Sequence, residues 1–166
     1  MPTTSAGILL YRPDSAGAAP PVEVWIAHMG GPFWSRKDEA AWSIPKGEHG
    51  PDEDPLTVAR REFEEEIGVP APDLDYTLLG RYKQPSRKLI TVYCAEYRAD
   101  LAFVASNTFE LEWPPRSGRR QEFPEIDRAE WLPVDVAATK LVRGQRPILD
   151  DLLARLVEPS SDRSSR

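Results

Sequence analysis

Cysteine is nearly absent from this sequence. The single one among the 166 residues is Cys94, so the chain cannot form an internal disulfide. This excludes the small, disulfide-stabilised class of secreted domains and suits a reducing compartment. Cys94 lies in the apolar run 89–95, where a cysteine is more often a small buried hydrophobe than a nucleophile.

Long hydrophobic runs are also missing. No apolar stretch approaches the ~20 residues needed to cross a bilayer, and no basic stretch precedes an apolar segment at the N-terminus. We therefore expect a soluble, cytoplasmic protein with no signal peptide and no membrane partner. The net charge of −6 disfavours non-specific binding to nucleic acid, because an acidic surface repels polyanions. A small phosphorylated substrate stays open, since bound divalent cations can invert the local field of a site.

The order of predicted elements indicates a single α/β domain over residues 1–158. Strands are predicted at 8–11, 22–27, 42–44, 74–83, 89–97 and 130–132, with a loop at 12–21. Helices are predicted at 55–67, 135–142 and 147–157, and residues 104–124 are expected to form a long loop or an irregular hairpin. The Ser- and charge-rich tail 159–166 is expected to be disordered. This order predicts α/β layers around a mixed sheet.

Residues 55–67 have the clearest helical pattern. Asp54 can act as the N-cap, Pro55 suits the first helical position, and Gly68 is a good terminating residue. Apolar residues recur three and four apart on one stripe, at Leu56, Ala59, Phe63 and Ile67.

A second face of this helix is acidic. Glu62, Glu65 and Glu66 share it at i, i+3 and i+4, whereas Glu64 points elsewhere and is expected to be solvated. Like charges at this spacing cost a few tenths of a kcal/mol per pair, and anions near a helix C-terminus cost ~0.3–1 kcal/mol each. A solvated charged face is the ordinary interpretation. A bound divalent cation would offset both costs, because Mg²⁺ takes hard oxygen ligands, so the helix alone leaves both interpretations open.

The wider spacing resembles the complete signature of the Nudix hydrolases. Its seven positions of fixed identity are matched by Gly47, Glu53, Arg61, Glu62, Glu65, Glu66 and Gly68, and Phe63 and Val69 fill two apolar positions. The resemblance implies a Nudix-type α/β/α sandwich with a mixed β-sheet. It also implies a magnesium-dependent hydrolase of phosphoanhydride bonds, with Mn²⁺ as the alternative ion.

The resemblance assigns roles to individual residues. Glu62, Glu65 and Glu66 become metal ligands together with the carbonyl of Gly47. Glu53 would support the site, and Arg61 would orient a glutamate by a charge-assisted hydrogen bond. Family members often add a glutamate from a later loop, for which Glu125 is our candidate. Whether Glu62 or Glu125 takes the proton stays open.

Substrate recognition rests on weaker signals. Lys46 directly precedes the signature, and Lys83 and Arg87 follow it, so each is a candidate phosphate contact. Trp34, with Phe33 and Trp42, could stack on a base.

These features favour a dinucleoside polyphosphate or a nucleoside triphosphate as the small-molecule partner. The alternatives are an ADP-ribose or nucleotide-sugar pyrophosphatase and a non-catalytic module that senses a nucleotide. A monomer and a homodimer both stay open.

Overall fold

The computed structural model describes residues 4–13 and 22–157 of the chain. The expected tail at 159–166 and most of the expected loop at 12–21 lie outside these residues. The strands are β1 Thr4–Pro13, β2 Val22–Met29, β3 Trp42–Ser43, β4 Lys46–His49, β5 Thr77–Lys83, β6 Leu89–Glu96, β7 Thr108–Glu112, β8 Arg120–Pro124 and β9 Ile126–Pro133. The helices are α1 Pro55–Ile67, α2 Val134–Lys140 and α3 Arg146–Val157, with a 3₁₀ turn at Arg143–Gln145 before α3.

Seven of the strands in the described part of the chain form one mixed sheet with β1 at its centre. β1 pairs in parallel with β6 and antiparallel with both β2 and β4. β9 and β3 extend the sheet beyond β2, and β5 extends it beyond β6. The central segment Ile8, Leu9 and Leu10 is at most 1% exposed, as expected for a strand covered on both faces.

Helices cover the two faces of this sheet. On one face, Ala59, Phe63 and Ile67 of α1 pack against residues of β1 and β2, and the rings of Trp25 and Phe63 lie 5.6 Å apart. The opposite face is covered by α2 and α3, whose apolar side chains join a second cluster. The layers are therefore helix, mixed sheet and helix, which confirms the expected α/β/α sandwich.

Most of the predicted elements are confirmed, with changed boundaries. α1 has the predicted bounds, and residues 104–124 contain the hairpin β7–β8. β4 was not predicted, because its sequence Lys-Gly-Glu-His lacks apolar alternation and becomes a strand through its pairing with β1. β5 begins at Thr77, later than predicted, and β9 is longer than the predicted 130–132.

The structure shows the surroundings of Cys94 and the length and apolar character of the helices. Cys94 is 3% exposed and belongs to the second apolar cluster, which confirms the interpretation as a small buried hydrophobe. Among the residues described, none of the helices has both the length and the apolar character required to span a bilayer.

Candidate metal and substrate site

Helix α1 is fixed at both ends by its own sequence. The Asp54 carboxylate accepts hydrogen bonds from Thr57 N at 3.0 Å and Thr57 Oγ1 at 2.8 Å, and Pro55 occupies the first turn. At the other end Gly68 is left-handed with φ of 91°, and its N–H donates to the carbonyl of Glu64 at 2.8 Å. Because the apolar stripe is buried on the sheet, the acidic stripe is held in a defined direction beside β4.

Glu62 lies directly against the backbone of Gly47. A Cβ added to Gly47 would overlap the Cδ, Oε2 and Cγ atoms of Glu62, so only glycine leaves room for this carboxylate. The Glu62 side chain is 18% exposed. The pKa of Glu62 is raised to about 7, mainly by burial and also by the neighbouring carboxylate of Glu65, while Arg61 opposes the shift.

Glu66 is the most buried of the three acidic residues, with 9% exposure. Its Oε1 accepts a hydrogen bond from the backbone N–H of Lys46 at 2.7 Å, which ties α1 to β4. Burial raises the pKa of Glu66 to about 8, although the Lys46 N–H and the Lys46 charge oppose the shift. A carboxylate buried in this way without a paired cation favours either protonation or a bound cation.

Glu125 is brought to the same cluster from a distant part of the chain. Asn107 N donates to the carbonyl of Glu65 at 2.9 Å, and Glu125 N donates to the carbonyl of Asn107 at 2.9 Å. On its other side, the Glu125 carbonyl accepts from Gly30 N at 2.9 Å. Burial raises the pKa of the Glu125 carboxyl, Glu65 raises it further, and Lys46 lowers it.

Arg61 stands at the exposed edge of the acidic face. Its guanidinium lies 3.4 Å from Glu53 Oε1 and 3.9 Å from Glu62 Oε1. Glu53 in turn accepts a hydrogen bond from Gly50 N at 2.8 Å, which is the main reason that its pKa is lowered. Arg61 therefore connects the loop before α1 to one of the acidic residues.

A cavity of about 470 Å³ borders the site at Lys46, and we call it the Lys46 cavity. Trp34 and Lys46 line it, whereas Lys83 and Arg87 are exposed and are not among the described residues that line it. Lys88 lines the cavity instead, and its Nζ lies 3.0 Å from Glu48 Oε1.

The other aromatic candidates are placed differently from Trp34. Trp42 is 1% exposed and lies in the core, so it cannot stack on a ligand, whereas Phe33 is 55% exposed and packs edge-on against Trp113 at 5.5 Å. Gln145, which also lines the cavity, was not singled out in the sequence. It comes from the 3₁₀ turn, and its Oε1 accepts from Ile44 N, which lies 101 residues away. No local signal could have indicated it.

The donor set suits a hard divalent cation. Carboxylates of Glu62, Glu65, Glu66 and Glu125 influence one another, and the carbonyl-bearing backbone of Gly47 lies against Glu62. All of these donors are oxygen atoms, the ligand type that Mg²⁺ and Mn²⁺ prefer. Within residues 4–13 and 22–157, no three Asp, Glu, His or Cys side chains already stand in coordinating positions. The fit therefore rests on donor chemistry and on the space that Gly47 leaves.

Both the sequence and the fold of this chain are similar to those of known proteins. Residues 1–152 match the sequence model of the NUDIX domain family. An Ap4A hydrolase of C. elegans, solved as a binary complex, is similar in fold with a TM-score of 0.56 and 20% identity, covering 93% of this chain and 97% of the other.

Two further structures have similar folds. The NUDIX domain of Shewanella oneidensis NrtR, solved with ADP-ribose, has a TM-score of 0.59 and 15% identity over 95% of this chain and 90% of the other. The Nudix hydrolase RenU of M. smegmatis has a TM-score of 0.59 and 21% identity over 94% and 88%. At these identities the three structures show a shared fold.

Proposed function

This chain belongs to the Nudix domain family, and from that premise we propose that it is a magnesium-dependent hydrolase of phosphoanhydride bonds. The family assignment supports an enzyme of the pyrophosphohydrolase class, and enzymes of this family generally use divalent metal ions. The finer statements are proposals: that the ion is Mg²⁺, with Mn²⁺ as the alternative, and that the substrate is a nucleoside diphosphate linked to a further group.

One observation carries the proposal more than any other. Glu62 fills the space beside Gly47 that any side chain would occupy, and Glu66 is tied to the Lys46 N–H from the same helix face. One backbone segment, strand β4, thus lies against two carboxylates of α1. Their raised pKa values mean that holding both as anions is costly, and a bound divalent cation offsets that cost.

Each residue then has a defined task. Glu62, Glu65 and Glu66, with the Gly47 carbonyl, would hold the ion, which supplies charge neutralisation for phosphate oxygens and acidifies water at the site. Arg61 keeps Glu62 and Glu53 in position. Glu125 sits beside Glu65, and burial raises the pKa of its carboxyl, which makes it our candidate for the group that accepts a proton from water.

The Lys46 cavity supports a nucleotide substrate. Lys46 and Lys88 offer charges for a phosphate chain, and Trp34 offers an aromatic wall for a base. A dinucleoside polyphosphate or a nucleoside triphosphate fits these groups, and a fold shared with an Ap4A hydrolase agrees with the first. Lys83 and Arg87 remain proposed phosphate contacts only for a substrate whose phosphate chain is long enough to extend out of the cavity. An ADP-ribose or nucleotide-sugar substrate is the alternative.

A substrate screen in Mg²⁺ tests this proposal. The panel holds diadenosine polyphosphates, nucleoside triphosphates, ADP-ribose and nucleotide sugars, with products resolved by chromatography. We expect turnover of one class and a loss of at least ~10³-fold in Glu66→Gln, since both the metal and its activated water depend on that carboxylate.

The matched control is Glu96→Gln. Glu96 is the last residue of β6, and its side chain pairs with Arg98 on the surface. It should keep wild-type turnover. If no compound in the panel is hydrolysed while nucleotide binding stays tight, the enzyme proposal fails and the nucleotide-sensing module replaces it.

A further inference from the structure

A buried histidine lies behind the loop that carries Trp34, which spans residues 30–41 between β2 and β3 and which we call the Trp34 loop. His28 belongs to β2 and is 1% exposed. Its Nδ1 lies 2.7 Å from Asp127 Oδ1, and its Nε2 lies 2.6 Å from the carbonyl oxygen of Lys37. A carbonyl oxygen can only accept a hydrogen bond, so Nε2 must carry a proton and donate it. The imidazole therefore connects β9 to the Trp34 loop.

Asp127 reaches His28 because the pairing of β2 with β9 is irregular at this point. The register shifts between His28 and Met29, and Asp127 is the residue left without a partner in β2. An extra residue of this kind forms a β-bulge, which turns a side chain away from the direction that strand alternation would give it. The ring of Trp42 also packs edge-on against the imidazole at 5.1 Å. The imidazole is thereby held in one orientation.

Lys37 extends this connection to Trp34. The Lys37 N–H donates to the Trp34 carbonyl at 2.9 Å, and the Lys37 ammonium lies 5.2 Å from the centre of the Trp34 ring. The Lys37 carbonyl is the group that His28 holds. A chain of direct contacts thus leads from a buried imidazole in the sheet to the indole that lines the Lys46 cavity. Trp34 is only partly buried, so these contacts matter more for its position than they would for a core side chain.

The other anchors of the Trp34 loop lie near its start and towards its end. At the start, the Gly30 N–H donates to the Glu125 carbonyl at 2.9 Å. Towards the end, Asp38 accepts a hydrogen bond from the indole N–H of Trp42 at 3.1 Å. Within the described part of the chain, His28 provides the only side chain from outside the loop that hydrogen-bonds to the backbone between these two anchors. Loss of this bond would therefore free the segment that carries Trp34.

We propose that His28 is a positioning residue for the nucleotide base. It holds the Lys37 carbonyl, and through Lys37 it keeps the Trp34 ring at the wall of the Lys46 cavity, where the base stacks. His28 is not among the described residues that line this cavity, so it acts through Trp34 and not on the substrate itself. This deepens the proposed function and rests on its placement of a base in the Lys46 cavity.

Binding of AMP tests this role without hydrolysis, because AMP has no phosphoanhydride bond. We expect the Kd for AMP, measured by calorimetry, to rise about tenfold in Trp34→Ala, the size of one lost stacking contact with a base. His28→Phe keeps an aromatic ring but removes both hydrogen bonds, and it should raise the Kd about fivefold. Inorganic phosphate, which has no base, should bind equally well to the wild type and to both variants.

A double-mutant cycle separates positioning from a general structural role. If His28 acts through Trp34, the variant with both substitutions should bind AMP at most about twofold more weakly than Trp34→Ala alone. His28→Gln, whose amide can donate to the Lys37 carbonyl, should bring the Kd back to within about twofold of wild type. Effects that multiply in the double variant, or an unchanged Kd in His28→Phe, would overturn the proposal.

The matched control is Ser35→Ala. Ser35 follows Trp34 in the same loop and is exposed, so the Kd for AMP should not change. Circular dichroism of each variant checks that the fold is retained. If His28→Phe does not fold, NMR of the histidine rings in the wild type tests the same bond. Nε2 of His28 should carry a proton that exchanges slowly with water, and an unprotonated Nε2 would overturn the proposal.

These measurements keep the positioning role separate from the proposed activity. If the nucleotide panel shows no turnover but AMP binding depends on His28 and Trp34 in this coupled way, the role of His28 stands while the hydrolase proposal fails. If AMP does not bind to the wild type, the role of His28 is overturned, whatever the panel shows. In an active enzyme, His28→Phe should raise KM and change kcat by less than about threefold. A fall in kcat with unchanged KM would contradict positioning of the base.

Discussion

Replacing Gly47 with alanine should disable the site while leaving the fold intact. The new Cβ would overlap three atoms of the Glu62 side chain, and ordinary van der Waals contact begins at about 3.4 Å. The Glu62 carboxyl must therefore move by about 1 Å or more. Catalytic groups tolerate displacements of only about 0.5 Å, and a misplacement of about 1 Å costs ~10²-fold. We expect kcat to fall by about 10²-fold.

The same substitution should change stability very little. The overlapping atoms belong to the end of a flexible side chain, so the clash can be relieved without moving the backbone. Gly47 does not adopt a positive φ, which means that alanine is compatible with its conformation. We expect the free energy of unfolding to change by less than about 1 kcal/mol.

Gly50→Ala is the matched control for this prediction. Gly50 lies in the loop that follows β4, and the nearest atom to a Cβ there is Glu53 Oε2 at 3.9 Å, an ordinary contact. The assay compares kcat and the Mg²⁺-induced rise in Tm for both variants and the wild type. If Gly47→Ala keeps wild-type kcat and Mg²⁺ response, the reasoning that places Glu62 in the metal site is refuted.

Three further perturbations have expected outcomes. Burial raises the pKa of Glu62 to about 7 and that of Glu66 to about 8, above the ordinary 4.5. Between pH 4.5 and 8, Glu62 and Glu66 have lost their protons in the unfolded chain but keep them in the metal-free folded protein. The free energy of unfolding therefore falls as the pH rises through that window. Mg²⁺ competes with these protons and should raise Tm more at about pH 8.5 than at about pH 6; equal shifts in thermal melts would contradict this. Phe63→Ala, at a side chain that is 0% exposed, should cost about 3–5 kcal/mol in urea unfolding. Phe33→Ala, at 55% exposure, should cost less than about 1 kcal/mol, and similar costs for the two would disprove the packing account. Asp54→Ala removes the N-cap bonds to Thr57 and should cost about 0.5–2 kcal/mol; an unchanged urea midpoint would show that the cap is not needed.

The sequence was most informative where structure depends on local spacing. The bounds of α1 follow from a cap, a proline and a glycine within a few residues of the helix, and the apolar and acidic stripes follow from the helical period. These local features were enough to predict the face on which Glu62, Glu65 and Glu66 lie together.

Contacts made at long range were much harder to predict. β4 is a strand because β1 lies beside it, and its own residues carry no alternating pattern. The link from Glu65 through Asn107 to Glu125 uses backbone groups, which leave no mark on residue type. Lys88 lines the cavity because the β5–β6 turn places it there, whereas the sequence predicts Lys83 and Arg87 as phosphate contacts from their place after the signature. A cavity of about 600 Å³ between α1 and the segment before β7 likewise joins residues that are far apart in the sequence.

We propose that the acidic face of α1 and the Gly47 backbone hold the catalytic ion. The most direct test is anomalous diffraction from crystals grown with Mn²⁺, which can replace Mg²⁺ at oxygen ligands. We expect an anomalous peak in contact with the Gly47 carbonyl and with carboxylates of Glu62, Glu65 or Glu66, and we expect this peak to be absent from crystals of Glu66→Gln. A peak elsewhere, or one that persists in that variant, would contradict it.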